Sequence, residues 1–295
     1  RVSDTLTGVA VVGSANLDLV VEVSRPPHVG ETLLGHAGGR FAGGKGLNQA
    51  VAAARSGAPT RFCAVVGEDE AGEELQRTLV DAGVAGVLRR TGAAPTGVAH
   101  VLALDDGDNS IIVAAGANAE LTARDAVDGV AGAAVVLAQL EVPVASVAAA
   151  LRAAREGGAL TLVNAAPATA AVMDLLADVD ILIVNETECA ELGGIENLQS
   201  AGAGQIVLTR GAGGVTLHRR GAEPLHVAAF RIDPVDTTGA GDAFCGAFAA
   251  ALAAGDDIGD ALARACAAGA IVAQHRGANT AALSPEAIAE LVATR

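Results

Sequence analysis

The sequence predicts a single α/β domain on a mostly parallel sheet, with a small β-rich attachment. Three observations carry this. From Arg61 onward, short apolar runs alternate with helical patterns, which gives parallel strands joined by right-handed crossovers. Glu141, Asn164, Asn185, Glu188 and Thr209 fall at or just past the C-terminal ends of such runs, the sheet edge where ligands bind. Two stretches, residues 17–40 and 95–115, hold short strand patterns with no helix between them and stand outside the alternation.

Composition narrows the function. Apolar residues make up 51% and charged residues 18%, so the chain can bury a core and is not disordered. Trp and Tyr are absent and there are 5 Phe, leaving Ala, Val, Leu and Ile to build that core. A net charge of −15 argues against a nucleic-acid surface. It leaves room for a phosphorylated ligand, which backbone dipoles and a few Arg can hold. Lys45 is the sole lysine, against a background of Arg usage that reads as genome bias. Cys63, Cys189, Cys245 and Cys266 show no C-x-x-C spacing, so neither zinc nor a disulfide framework is signalled. With no charged-then-apolar leader and no long apolar run, the expectation is a soluble, cytoplasmic protein without a membrane partner.

In chain order, residues 1–7 read as a polar lead-in. Val9 to Val12 is a short buried strand closed by Gly13-Ser-Ala-Asn-Leu-Asp18. Asn16 and Asp18 lie two apart and face one side of extended backbone. They either grip neighbouring hydroxyls of a polyol or close an Asx turn. Leu19 to Val23 continues as a strand, Pro26-Pro27 breaks it, and Gly30 to Leu34 starts another. Gly43, Gly44 and Gly46 open a helix that runs to about Arg55 and stops at Gly57, so a ligand can approach its backbone closely. A P-loop is rejected there, because Leu47 stands where that motif needs Ser or Thr. Asn48, in the first turn, either binds a ligand hydroxyl or satisfies the backbone.

Arg61 to Val66 is a strand and Gly72 to Ala82 a helix. Thr96 to Leu104 and Ser110 to Ala114 flank a Gly-containing turn over residues 105–109, a hairpin able to pair with the early strands. Val135 to Leu140, Leu160 to Asn164, Asp180 to Val184 and Gln205 to Thr209 are buried strands, with a helix over Val144 to Arg155. The last strand runs into Arg210-Gly-Ala-Gly-Gly214. Ile258 to Ala273 and Pro285 to Val292 are helices, the second capped by Ser284.

The most informative stretch is Asp236-Thr-Thr-Gly-Ala-Gly-Asp242, running into an apolar helix over Ala243 to Leu252. The first N–H groups of a helix lack intrahelical partners and carry the positive end of its dipole. The turn is therefore an anion hole for a phosphoryl group in flight, with Asp242 placed to take a proton, or else an Asp N-cap with glycines turning the chain. The dipole is expected to lower the pKa of Asp242.

Read together, Gly13-Ser-Ala-Asn-Leu-Asp18, Gly30-Glu-Thr32, Gly43-Gly-Lys-Gly-Leu-Asn48, Gln139-Leu-Glu141, Asn185-Glu-Thr-Glu188 and Asp236 to Asp242 resemble the ribokinase-like, or PfkB, carbohydrate kinases. The likeness spans essentially the whole chain. It implies a ribokinase-like three-layer α/β/α fold whose β-rich stretches form a lid over the sugar, and a homodimer through that lid. It implies ATP-dependent phosphorylation of a sugar, the ribose 5-hydroxyl in the nearest branch. Asp242 would be the base, and the N–H groups of Gly239, Ala240 and Gly241 the phosphoryl site. Asn16, Asp18, Gly43, Gly44, Lys45, Asn48 and Glu141, with Asp242, would hold the sugar. Asn185, Thr209, Arg210, Gly211, Gly214, Gly241 and Cys266 would line the nucleotide. Glu188 would organise Mg²⁺ or another divalent cation through water. A K⁺ activator would sit near Asp236, Thr238, Val272, His275 and Gly277.

The chain departs from the family at three places. Cys266 replaces a common His near the adenine. Ala281 replaces a Ser that often helps bind the cation, with Thr280 beside it. The short segment Leu192 to Gly204 is expected to be a floppy surface loop. Other readings are a kinase for fructose, deoxyribose or 2-keto-3-deoxygluconate, and an inactive sugar-binding regulator. The intact Asp242 and its glycines weigh against the regulator. The lack of a stacking aromatic in the lid weighs against a nucleoside kinase.

Overall fold

The computed structural model describes residues 7–104 and 109–295. Residues 1–6 of the lead-in and 105–108 of the hairpin turn lie outside the described residues. The chain opens with β1 (Val9–Val12), then β2 (Asn16–Val23), β3 (His36–Gly43), α1 (Lys45–Arg55), β4 (Thr60–Gly67), α2 (Glu70–Asp81) and β5 (Ala85–Thr91). β6 (Gly97–Leu104), β7 (Asn109–Ala114), α3 (Ala123–Val130), β8 (Val135–Ala138), α4 (Val144–Glu156) and β9 (Leu160–Asn164) follow. The C-terminal half holds β10 (Ile181–Asn185), α5 (Glu186–Glu191), α6 (Gly194–Ser200), β11 (Gln205–Thr209), β12 (Val215–Arg219), β13 (Leu225–Val227), α7 (Ala240–Ala254), α8 (Ile258–Ala273) and α9 (Pro285–Val292).

Nine strands form one sheet in the order β13-β12-β11-β10-β9-β8-β1-β4-β5. It is parallel from β11 to β5, and only β12 runs the other way, pairing antiparallel with β11 and β13. Alternate residues of its central strands enter two different cores. Val9, Val11, Phe62, Val66, Leu137 and Ile183 pack against α1, α2, α7 and α8. Ala10, Val12, Val65, Val136, Leu182 and Val184 pack against α3, α4 and α6. A sheet buried on both faces explains why these strands read as continuous apolar runs. The result is a three-layer α/β/α fold.

β1 lies between β4 and β8, and the chain winds outward from it in both directions. The carboxyl ends of β1 and β8 thus form the topological switch point, where an open α/β sheet leaves a crevice. β2, β3, β6 and β7 form a separate four-stranded sheet, order β3-β2-β6-β7, from the two stretches set apart in the sequence. β2 starts four residues after β1 ends, so this small sheet roots at the crevice. Among the described residues, no helix is long and apolar enough to cross a membrane.

Two local expectations need correction, and two further elements were not anticipated. The strand expected over Gly30 to Leu34 is not there; β3 starts at His36. Glu31 instead binds the Arg25 guanidinium at 2.5 and 2.8 Å and the His28 N–H at 2.9 Å, closing a tight turn around Gly30 (φ 82°). β5 was not anticipated, because Gly86 and the Arg89–Arg90 pair mask an edge strand. α3 was also missed, although Thr122 and Asp125 form a capping box whose spacing was readable. The expected floppy loop from Leu192 to Gly204 contains α6, and Leu198 is fully buried in the core.

Leu198→Ala should therefore cost about 2–4 kcal/mol, as a buried Leu does, where a loop residue would cost almost nothing. Denaturant unfolding measures it; a change under about 0.5 kcal/mol would restore the loop description.

Candidate active site

α1 begins at the crevice with no side chain of its own as cap; its N-cap, Gly44, has φ 88°. A Cβ at Gly44 would lie 2.9 Å from the Asn16 nitrogen, so glycine is required for the helix to approach β2. The orphan N–H groups are met from the strand ends instead. Lys45 N–H donates to Glu141 Oε2 (3.2 Å) and Gly46 N–H to Ser14 Oγ (3.4 Å), while Ser14 Oγ donates to Glu141 Oε2 (2.5 Å). Glu141 thus carries a helix-capping role within the crevice.

Asn16 and Asp18 point to one face of β2. Asn16 is buried, and its Oδ1 accepts from Asn118 Nδ2 (2.7 Å). Asn118 is locked in turn by the Ala15 N–H on its Oδ1 (2.8 Å). Asp18 Oδ1 is buried with no hydrogen-bond partner. Its carboxyl is pushed up from 3.8 to about 7, first by burial, then by the charges of Glu141 and Asp242. A side chain on Gly43 would strike it, with a Cβ 2.1 Å from Asp18 Oδ2. An unpartnered buried acceptor beside a backbone without a Cβ is a place for a hydroxyl donor.

Asp242 sits in the first turn of α7. Gly239 opens that helix at φ 76°, where a Cβ would lie 2.3 Å from that of Ala278. Asn48 Nδ2 (3.1 Å) and Gln49 Nε2 (2.9 Å) both donate to the Asp242 carboxylate. The expected lowering of its pKa is reversed. Burial raises it, against the opposing pull of Lys45 and of the two amide donors. A carboxylate so raised is a better proton acceptor near neutral pH than an ordinary aspartate. Burial also works against the Lys45 ammonium, but Asp242, Glu141 and Glu188 more than offset it and hold the lysine charged.

Beyond Asp242 lies a cavity of about 910 Å³. Thr209, Gly211, Gly214, Gly241 and Cys266 line it, with Phe244 and Ala240, and its size suits a nucleotide. Asn185 and Arg210 are not in its wall. Asn185 and Glu188 instead form a capping box on α5, with N–H to oxygen distances of 2.9 and 2.8 Å. Burial raises the Glu188 pKa first, opposed by that hydrogen bond and by Lys45. Ala240 N–H donates to the Thr237 carbonyl (3.1 Å), so among the three expected phosphoryl donors it is already engaged.

Asp236 binds the N–H groups of Thr238 and Gly277, each at 2.9 Å, and so ties the turn before α7 to the loop after α8. Val272 accepts from the His275 N–H (2.9 Å) at the end of α8. Among the described residues no cluster of three His, Cys, Asp or Glu side chains is placed to hold a metal ion.

Sequence reasoning did not single out Gln49, Ser14, Asn118 or Asn279. Asn279 Nδ2 donates to Asn48 Oδ1 and to the Ala42 carbonyl, both at 3.0 Å, which aims the Asn48 amide at Asp242. Gln49 directly follows the Gly43 to Asn48 motif, but its contact with Asp242 spans 193 positions that no local pattern encodes.

The chain matches the model of the pfkB family of carbohydrate kinases over residues 6–285. Ribokinase of Staphylococcus aureus is 35% identical over 291 residues, 92% of this chain and 94% of that protein. The structure of Arabidopsis thaliana ribokinase with ribose and ATP superposes with a TM-score of 0.87 at 33% identity, covering 97% of this chain and 98% of that one. Thermotoga maritima ribokinase gives 0.88 at 30% identity over 97% and 99%.

Asp18 yields a stability test. Its folded pKa of about 7 lies above its ordinary 3.8, so the folded chain keeps a proton that the unfolded chain releases in that window. Stability therefore falls as pH rises from 3.8 to about 7 and stays lower above it. Asp18→Asn should raise Tm by roughly 3–6 °C at pH 8 and leave it nearly unchanged near pH 4. Thermal unfolding at the two pH values checks this; an equal effect at both would refute the carboxyl's role.

Proposed function

The chain belongs to the pfkB family of carbohydrate kinases, and on that premise we propose that it transfers the γ-phosphoryl group of ATP to the 5-hydroxyl of D-ribose. The observation that carries this is the position of Asp242. Its carboxylate shares Asn48 with the crevice of Asn16 and Asp18, and it adjoins Gly241 on the wall of the large cavity. One carboxylate therefore stands between a hydroxyl-binding pocket and a nucleotide-sized one.

Ribose lies in the crevice. Asp18 accepts hydroxyl hydrogens with its free oxygen, Asn16 and Asn48 present amides, and Gly43 and Gly44 let the ring approach the backbone. Glu141 and Lys45 close the far side. Asp242 takes the proton of the 5-hydroxyl as its oxygen attacks the γ-phosphorus and the bond to the ADP oxygen breaks. Gly239 and Gly241 offer N–H groups at the helix start, and the dipole of α7 stabilises the charge on the transferring group. Such a transfer asks for positioning and neutralisation rather than covalent work.

Mg²⁺ accompanies the ATP phosphates. Asn185 and Glu188 would hold it through water, with the Glu188 oxygen that their capping box leaves free. K⁺ fits beside the turn of Asp236, Thr238 and Gly277, with Val272 and His275 adjoining. Both oxygens of Asp236 are taken by backbone N–H groups, so carbonyls would be the ligands. The small sheet is the lid and the dimer surface. Phe41, Ile111 and Val113 on the Asp18 face, and Val21 and Ile112 on the other, are 40–68% exposed, apolar side chains of the kind an interface covers. Four free thiols and the need for ATP accord with the cytoplasm.

Turnover with ATP should peak on D-ribose over deoxyribose, fructose and 2-keto-3-deoxygluconate; a higher kcat/KM on another sugar reassigns the substrate. Asp242→Asn should lower kcat by about 10²–10⁴-fold while ribose still binds. Sedimentation should give twice the 28.9 kDa chain mass. Separate Ile111→Asp and Ile112→Asp variants should show which face pairs, and a wild-type monomer at all concentrations would exclude the dimer.

A further inference from the structure

We infer that Gln49 is the positioning residue for the catalytic carboxylate, the last member of a buried amide chain that runs Gln139 to Gln49 to Asp242. This rests on the kinase reading above. Gln49 lies in the second turn of α1 and is fully buried. Its Nε2 donates to Asp242 Oδ1 (2.9 Å) and to Asn164 Oδ1 (3.1 Å). Its Oε1 accepts from Gln139 Nε2 (2.5 Å), also fully buried, just past the end of β8.

The direction of the chain follows from chemistry. An ionised carboxylate only accepts, so Gln49 must turn its NH₂ toward Asp242 and its oxygen toward Gln139. Gln139 must then present its own NH₂, which leaves its Oε1 buried and unpartnered. That oxygen sits where a Cβ on Gly13 would be, 1.9 Å away, so Gly13 makes room for it. Leaving one acceptor unsatisfied costs stability, and here the cost falls on Gln139, two side chains along the chain, rather than on Asp242.

Gln49 differs from Asn48 in what it faces. Asn48 opens to the crevice. Gln49 lies behind the carboxylate, within the packing of α1 against α7, where Gly246 lets the helices meet; a Cβ there would lie 2.4 Å from the Gln49 carbonyl oxygen. Gln49 therefore holds Asp242 Oδ1 from behind and leaves Oδ2, shared with Asn48, toward the sugar. The charged groups around Asp242 are Lys45 on α1, Glu141 after β8, Asp18 on β2 and Glu188 on α5, with the Cys245 thiol on its own helix. Gln49 is a neutral donor among them.

The test is Gln49→Met, which keeps the volume and removes both donor contacts, beside Gln49→Glu, which keeps the shape and sets a carboxyl against Asp242. Met should lower kcat by about 10–100-fold, leave the ribose KM within about threefold, and move the acid limb of the kcat profile up by about one pH unit. Glu should move the limb at least as far. Loss of Tm and kcat with the acid limb unmoved would reduce Gln49 to packing and overturn the inference, as would kcat within threefold of wild type. A double-mutant cycle in Tm between Gln49→Met and Asp242→Ala reads the contact without turnover. Non-additivity of a few °C supports the inference and additive changes refute it. Wild-type inactivity on D-ribose would defeat the kinase reading by itself and leave the cycle to decide the contact.

Discussion

A single partly hidden negative charge sets the terms for the rest of this molecule. The Asp242 carboxylate is destabilised by burial, and an unpaired buried charge would neutralise itself or disrupt its surroundings. What prevents this is a set of neutral amides and one ammonium, drawn from four parts of the fold. α1 supplies Asn48, Gln49 and Lys45; the residue after β8 supplies Gln139; β9 supplies Asn164; the loop after α8 supplies Asn279. Three glycines follow from the same constraint. Gly239 lets the turn pack on Ala278, Gly246 lets α1 and α7 close, and Gly13 clears space for Gln139.

The electrostatics of the crevice have one consequence for the unliganded state. Glu141, Glu188 and Asp242 gather around the only lysine, and Asp18, facing Glu141 and Asp242, is driven to about 7. The pocket is poised for hydroxyl donors and is uncomfortable without them. This is the usual opposition of function to stability, located at one carboxyl oxygen. The body of the protein, with its two apolar layers over a fully buried sheet, supplies the stability that the crevice gives up.

Much of this was legible in the sequence, for physical reasons. Strands buried on both faces announce themselves as apolar runs, so β1, β9, β10 and β11 could be placed closely. Glycines before helices mark close approach, so Gly43, Gly44 and Gly239 were identified without coordinates. Edge elements were not legible: β5 carries Gly86 and two arginines because it has one neighbour, and β13 is three residues long. α6 was lost because flanking glycines mimic a loop, while the burial of Leu198 is a tertiary fact. Asn118 and Asn279 are ordinary loop residues until the fold sets them against Asn16 and Asn48. The direction of the Asp242 shift failed for a related reason. A helix dipole can be read from sequence, but desolvation is a property of the folded neighbourhood.

The small sheet is more than a cover. β2 carries Asn16 and Asp18, pairs along its whole length with β6 and from Asn16 to Glu22 with β3, and joins the end of β1 through Ala15 alone after the Ser14 anchor. Asn16 itself pairs with Gly43, the residue that meets Asp18. On the kinase reading, the groups proposed to hold the sugar are built into the small sheet itself. Any rotation of the sheet about this root would carry those groups with it, so sugar contact and sheet position would share one mechanical coordinate. Such a coupling would need no separate sensor to report a filled pocket.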